Sequence, residues 1–134
     1  MEKWEEYFKE TIPKAIYETN IRFGEKNGMI LELLNDDDDI ITIEFGNIIS
    51  FRVLEEGYVQ TDVYCKEEIE KYKRGNFENV IYKVEGGKYA KDIMEIADGY
   101  LDIIDYYHFI IITQNYNIDV ITAYLPEIYL DKKS

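Results

Sequence analysis

Cysteine, histidine and proline are nearly missing from this chain, and basic residues are scarce. A single cysteine, Cys65, excludes an intramolecular disulfide and fits a reducing compartment. One histidine, His108, beside that one cysteine leaves no nitrogen and sulfur set for zinc. No apolar run approaches the ~20 residues of a membrane span. The start, Met1 to Glu6, lacks the basic and apolar regions of a signal peptide. A cytoplasmic protein with no membrane partner is expected. Gly86-Gly87 lacks the spacing and the following Lys-Ser/Thr pair of a phosphate loop. No cofactor and no metal are therefore expected.

What the chain has is acid. Its 134 residues hold 28 carboxylates against 15 Lys and Arg, a net charge of −13. Such a field repels nucleic acid and anionic membrane and draws basic partners inward. Solubility alone is the competing explanation, since added carboxylates favour it. The charge is uneven. From Asp92 to Asp131 there are eight carboxylates with no Lys or Arg among them, and six of the thirteen tyrosines fall in the same span. Tyrosine is over-used at interfaces, although several of these rings belong in a core.

The length fits one domain over residues 1–134. Its organising stretch is His108-Phe109-Ile110-Ile111-Ile112, a polar break at residues 114–117, then Ile118 to Tyr124. Two β-branched runs around a short break read as a hairpin. Apart from the histidine the first run is apolar on both faces, so it is covered on both sides or lies mid-sheet. Upstream, Trp4, Tyr7 and Phe8 at spacings of three and four predict a short helix over residues 2–10, stopped by Pro13, or a loosely docked arm. Tyr17 to Phe23 alternates, with Glu18, Asn20 and Arg22 on its polar face. Residues 29–34, 40–45 and 48–54 continue as a meander of antiparallel neighbours joined by short turns. Asp62 is a candidate cap for a short helix through residues 66–72, which Gly75 would end. Residues 80–84 read as a strand or an extended linker. Tyr89, Ile93, Ile96, Ala97, Tyr100, Leu101 and Ile104 recur at helical gaps, with Gly99 as a weak point. Pro126 is expected to end the last strand. The fold class is α+β: a mostly antiparallel sheet of five to seven strands, covered by one main helix over about residues 87–103, with one or two short helices.

Catalytic signals are thin. His108 needs an orienting carboxylate and a nucleophile to act as a base. Asp105 or Asp119 could orient it, but no serine or cysteine nucleophile is suggested. Cys65 has Lys66 beside it, yet no motif of a cysteine enzyme surrounds it. Asp36-Asp37-Asp38-Asp39 lacks the alternation and central glycine of a calcium loop and reads as a solvated turn. The expectation is a protein that is not an enzyme.

Two stretches carry a resemblance: Phe51 to Tyr58, and the hairpin His108 to Thr113 and Ile118 to Ile121 ahead of Pro126. With the acidity and the tyrosines, the chain resembles small immunity proteins of bacterial toxin systems. That resemblance implies a cytoplasmic inhibitor of a basic, nuclease-type toxin. Its carboxylates would stand where phosphates bind, and its tyrosines where bases stack. The expected contact residues are Asp98, Asp102, Asp105, Tyr106, Tyr116, Asp119 and Tyr124. The tetra-aspartate turn and Glu55-Glu56 are competing epitopes. The alternative is a non-catalytic domain that binds a ligand, or forms a homodimer through an exposed sheet edge.

Overall fold

The structure is a computed structural model. It describes residues 2–8, 11–13, 15–26, 28–55, 66–73, 79–96, 105–114 and 116–132. Nine strands and two short helices lie within them, in the order β1 (Lys3–Tyr7), β2 (Glu18–Gly24), β3 (Gly28–Leu34), β4 (Asp39–Gly46), β5 (Ile48–Glu55), α1 (Lys66–Lys73), β6 (Ile81–Glu85), α2 (Lys88–Ile96), β7 (Tyr107–Ile112), β8 (Tyr116–Thr122) and β9 (Glu127–Lys132). They form two antiparallel sheets, not one. The five-stranded sheet runs β1-β6-β7-β8-β5 and the four-stranded sheet β2-β3-β4-β9.

The main core lies between the sheets. Alternate residues of β3 and β4, namely Met29, Leu31, Leu33, Ile41, Ile43 and Phe45, face Ile81, Phe109, Ile111, Ile118 and Val120. Most of these have no exposed surface. A second cluster of Trp4, Tyr82, Val84 and Ile110 forms on the far side of the five-stranded sheet, with Ile69 of α1 packed on it. The central strand β7 is therefore buried on both faces, as its unbroken apolar run requires.

Several expectations need correction. Residues 3–7 are a strand, not a helix. Trp4 and Tyr7 lie on opposite faces of it. Trp4 meets Tyr82 at 5.4 Å, and Tyr7 reaches Phe109 at 5.2 Å. A strand lets both rings be buried in different clusters, which a single helix face could not do. The main helix is also not the cover of the sheet. Among the described residues, Ala90 is its one buried residue and Ile96 is 78% exposed. The second sheet fills the core instead. Residues 97–104 and the Asp62 and Gly75 signals lie outside the described residues. Of residues 80–84, which read as strand or linker, residues 81–84 belong to β6, which pairs with both β1 and β7. Pro126 does not end the sheet, because β9 follows it and pairs with β4 from Glu44–Glu127 to Asp39–Lys132. Proline at a strand's leading end costs no ladder bond.

The meander breaks at Asn47. β4 and β5 are consecutive, yet they lie in different sheets, and β5 pairs with β8. The corner needs close backbone approach. Gly28 and Gly46 both adopt left-handed φ, 68° and 70°. A Cβ on Gly28 would overlap the Gly46 carbonyl. Gly28→Ala should therefore destabilise by more than the ~1 kcal/mol of left-handed backbone alone. Denaturant titration measures this, and a loss below that figure would mean the corner does not depend on contact at Gly28.

Candidate functional site

Asp119 lies in the middle of β8 with no exposed surface. Arg52 stands directly opposite it on β5, and His108 is one step diagonal on β7. The Arg52 guanidinium donates to Asp119 Oδ2 from Nε at 3.1 Å and from Nη2 at 2.9 Å. His108 Nε2 lies 2.8 Å from Oδ1. A carboxylate only accepts, so Nε2 carries the proton and donates it. The three side chains tie β5, β8 and β7 together on the face that looks away from the second sheet.

Helix α2 closes this cluster. The Tyr89 ring lies 4.4 Å from the Arg52 guanidinium carbon, and its hydroxyl is 2.5 Å from Ser50 Oγ. Burial raises the Tyr89 pKa above its ordinary 10.0, and the nearby Asp119 charge adds to the rise. The Ser50 bond and Arg52 act the other way. His108 Nδ1 is buried without a partner. Gly87 sits against it, so that a Cβ there would come within 2.6 Å. A cavity of about 300 Å³ lies beside this turn, lined by Lys83, Glu85, Tyr106 and His108 among others. Ser50 Oγ is engaged with the Tyr89 hydroxyl. The geometry makes a buried ion-pair clamp.

The open surface lies elsewhere. The outward residues of the four-stranded sheet are Glu18, Asn20 and Arg22 on β2, Ile30, Glu32 and Leu34 on β3, Ile40, Thr42 and Glu44 on β4, and Glu127, Tyr129 and Asp131 on β9. No helix or strand among the described residues covers this face. Five carboxylates share it with one cation, Arg22, which lies 3.5 Å from Glu32. Glu44 and Glu127 stand directly opposite each other on neighbouring strands. Like charges so placed repel. The Tyr129 hydroxyl donates to Glu127 at 2.6 Å. That bond and the Glu127 charge raise its pKa above 10.0, with Glu44 acting in the same direction.

The expected contact residues are only partly brought together. Asp98 and Asp102 lie outside the described residues, as do Cys65 and Glu56. Asp105 is exposed and Tyr106 half-buried, its hydroxyl donating to Met94 Sδ at 3.2 Å. Tyr107 pairs with Thr122, so these two residues sit near the β8 end that leads to exposed Tyr124. Tyr116 is at the opposite end of β8, beside Glu55. Asp119 is a correction. Complete burial and two bonded partners remove it from any contact surface. The Asp36–Asp39 segment is a hairpin turn in which Asn35 Oδ1 accepts from the Asp37 and Asp39 amides, both at 3.0 Å. Asp39 is buried and accepts from Asn35 Nδ2, so the four carboxylates do not converge. Among the described residues no three metal-ligating side chains are grouped, and no helix is long and apolar enough to cross a membrane.

The acidic sheet face escaped the sequence reading, though its parts were visible. Glu18, Glu32 and Glu44 alternate with apolar neighbours in three of the strands. What was hidden was the order of those strands and the existence of β9. Comparison with protein-family models, curated proteins and solved structures finds no match to this chain.

Two outcomes test the clamp. Asp119→Ala should cost about 3 kcal/mol or more, because it leaves Arg52 and His108 without their acceptor. Asp105→Ala should stay within about 0.5 kcal/mol, as exposed sites do. Equal losses in chemical denaturation would contradict the assignment. The second outcome concerns pH. The folded pKa of Tyr89 is the higher one, so its contribution is full below pH 10.0 and is lost as pH rises through the raised value. Tyr89→Phe should therefore lose stability less steeply than wild type above pH 10.0, and parallel curves would contradict this.

Proposed function

We propose that this chain is a non-catalytic cytoplasmic binding protein that neutralises a basic protein, of the nuclease-toxin kind, through the acidic face of its four-stranded sheet. One observation carries the reading. A sheet face that no described helix or strand covers holds five strand carboxylates with a single strand cation, and two of those carboxylates oppose each other across β4 and β9. Proteins accept such repulsion where an incoming cation relieves it, since stability is commonly traded for function at binding sites.

The face has the parts an inhibitor of a nucleic-acid enzyme needs. Carboxylates in rows stand in for phosphates and meet the Lys and Arg side chains of the cleft. Tyr129, 46% exposed, offers a ring where a base would stack. Ile30, Leu34 and Ile40 lie half-buried between the charges and supply apolar contact. The net charge speeds encounter, and the central apolar and aromatic contacts slow release. Asp105 and Tyr124 form a smaller exposed group at one end of the other sheet and are the competing epitope.

The experiment is capture of a basic protein from a lysate of the source, eluted by a salt gradient and assayed for nuclease activity with and without this chain. A triple variant, Glu32→Lys, Glu44→Lys and Glu127→Lys, should lose both capture and inhibition with its melting temperature maintained. Asp105→Lys with Tyr124→Ala should retain them. The reverse pattern would move the site to the β8 end. Glu44→Gln alone should raise stability by about 0.5 kcal/mol by removing one like-charge pair while weakening capture. A drop in stability would show that Glu44 serves the fold.

A further inference from the structure

We infer that the free edge of β2 pairs antiparallel with β2 of a second copy of this chain, about a two-fold axis at Asn20. β2 ends the four-stranded sheet, and nothing among the described residues pairs with its outer edge. Unpaired edges are usually blunted by proline, lysine, a bulge or shortness. This one has none of those. It runs seven residues, Glu18–Gly24, with no proline or lysine, and pairs with β3 without a register shift.

Its charges are self-complementary. Glu18, Asn20 and Arg22 point to the same outer face. Antiparallel pairing about Asn20 sets Glu18 of each copy against Arg22 of the other, so opposite charges meet twice. Cross-strand pairs of this kind stabilise a sheet, and like pairs destabilise it. The other edge of the same sheet behaves oppositely. β9 presents Glu127, Tyr129 and Asp131 outward, and self-pairing about Tyr129 would set carboxylate against carboxylate twice.

Apolar surface gathers at the same edge. Phe23 is 53% exposed and stacks at 4.8 Å on Phe51 of β5, itself 42% exposed. Ile16, just ahead of the strand, is 73% exposed. In the register centred on Asn20, Ile16 of one copy falls opposite Gly24 of the other, and Phe23 opposite Tyr17. The Tyr17 carbonyl already accepts from the Gln114 amide at 2.8 Å, so new ladder bonds start at Glu18. The product is an isologous dimer with one continuous eight-stranded sheet, its two acidic faces joined into one. This pairing uses the strand's edge and does not depend on what the sheet's face binds.

Sedimentation equilibrium of the full chain tests it, at physiological salt, where the net charge of −13 is screened beyond ~8 Å. Wild type should show a monomer–dimer equilibrium. Glu18→Arg and Arg22→Glu should each weaken it about tenfold or more, since each turns two attractive pairs into two repulsive ones. The double variant Glu18→Arg/Arg22→Glu should restore it. Asn20→Lys, which sets two ammonium groups on the axis, should weaken it as well and leaves both ends of the ladder native. A wild type that stays monomeric at its highest soluble concentration overturns the proposal. So does a dimer that the single reversals leave unchanged, or a double variant that fails to recover.

Discussion

A carboxylate with no exposed surface ties together three neighbouring strands of the five-stranded sheet. Asp119 cannot be ionised in an apolar interior unless its charge is met, and Arg52 and His108 meet it from the two flanking strands. That requirement fixes more than one contact. A one-residue slip of β5 or β7 against β8 would turn Arg52 or His108 to the opposite face. The register of three adjacent strands thus depends on a single acid. Gly87 is part of the same constraint, because only a residue without a side chain lets the turn before α2 lie against the imidazole.

That clamp divides the molecule by task. The five-stranded sheet is covered on one face by the second sheet and carries Trp4, Tyr82, Ile110 and the Asp119 cluster on the other, with Ile69 and Tyr89 from the two helices packed there. Among the described residues, the four-stranded sheet is covered once. Its inner residues complete the main core, and its outer residues make up the proposed recognition face. Acid accumulates on that face, including the like-charge pair Glu44 and Glu127. The same sheet ends in β2, whose charge order matches itself. Face and edge are separate surfaces, and occupying one leaves the other open.

The sequence made the centre legible and the connections not. The run His108 to Ile112 is apolar on both faces, which required a strand covered twice, and β7 is that strand. Alternation in residues 18–23, 29–34 and 40–45 identified β2, β3 and β4 for the same physical reason. Trp4, Tyr7 and Phe8 misled because spacings of three and four suit one helix face, whereas their burial is split between two cores. β9 was hidden by Pro126, which lacks an amide donor but lies just outside the ladder and does not forbid a strand that begins after it. The switch of β5 to the other sheet rests on backbone contact between Gly28 and Gly46, which no local pattern reports. Asp119 reads as surface from the sequence because carboxylates seldom lie in an interior. Its neighbours Ile118, Val120 and Ile121 carried the contrary signal, as did the single histidine across the hairpin.

The claim that the four-stranded sheet is the recognition surface is tested most directly by nuclear magnetic resonance. The isotopically labelled chain would be titrated with an oligolysine peptide and its amide shifts mapped. The account predicts saturable shifts along Glu32, Thr42, Glu44 and Tyr129, reversed by salt, with the amides around Asp119 still. Shifts confined to the turn at residues 36–38, or to Asp105 and Tyr124, would contradict it.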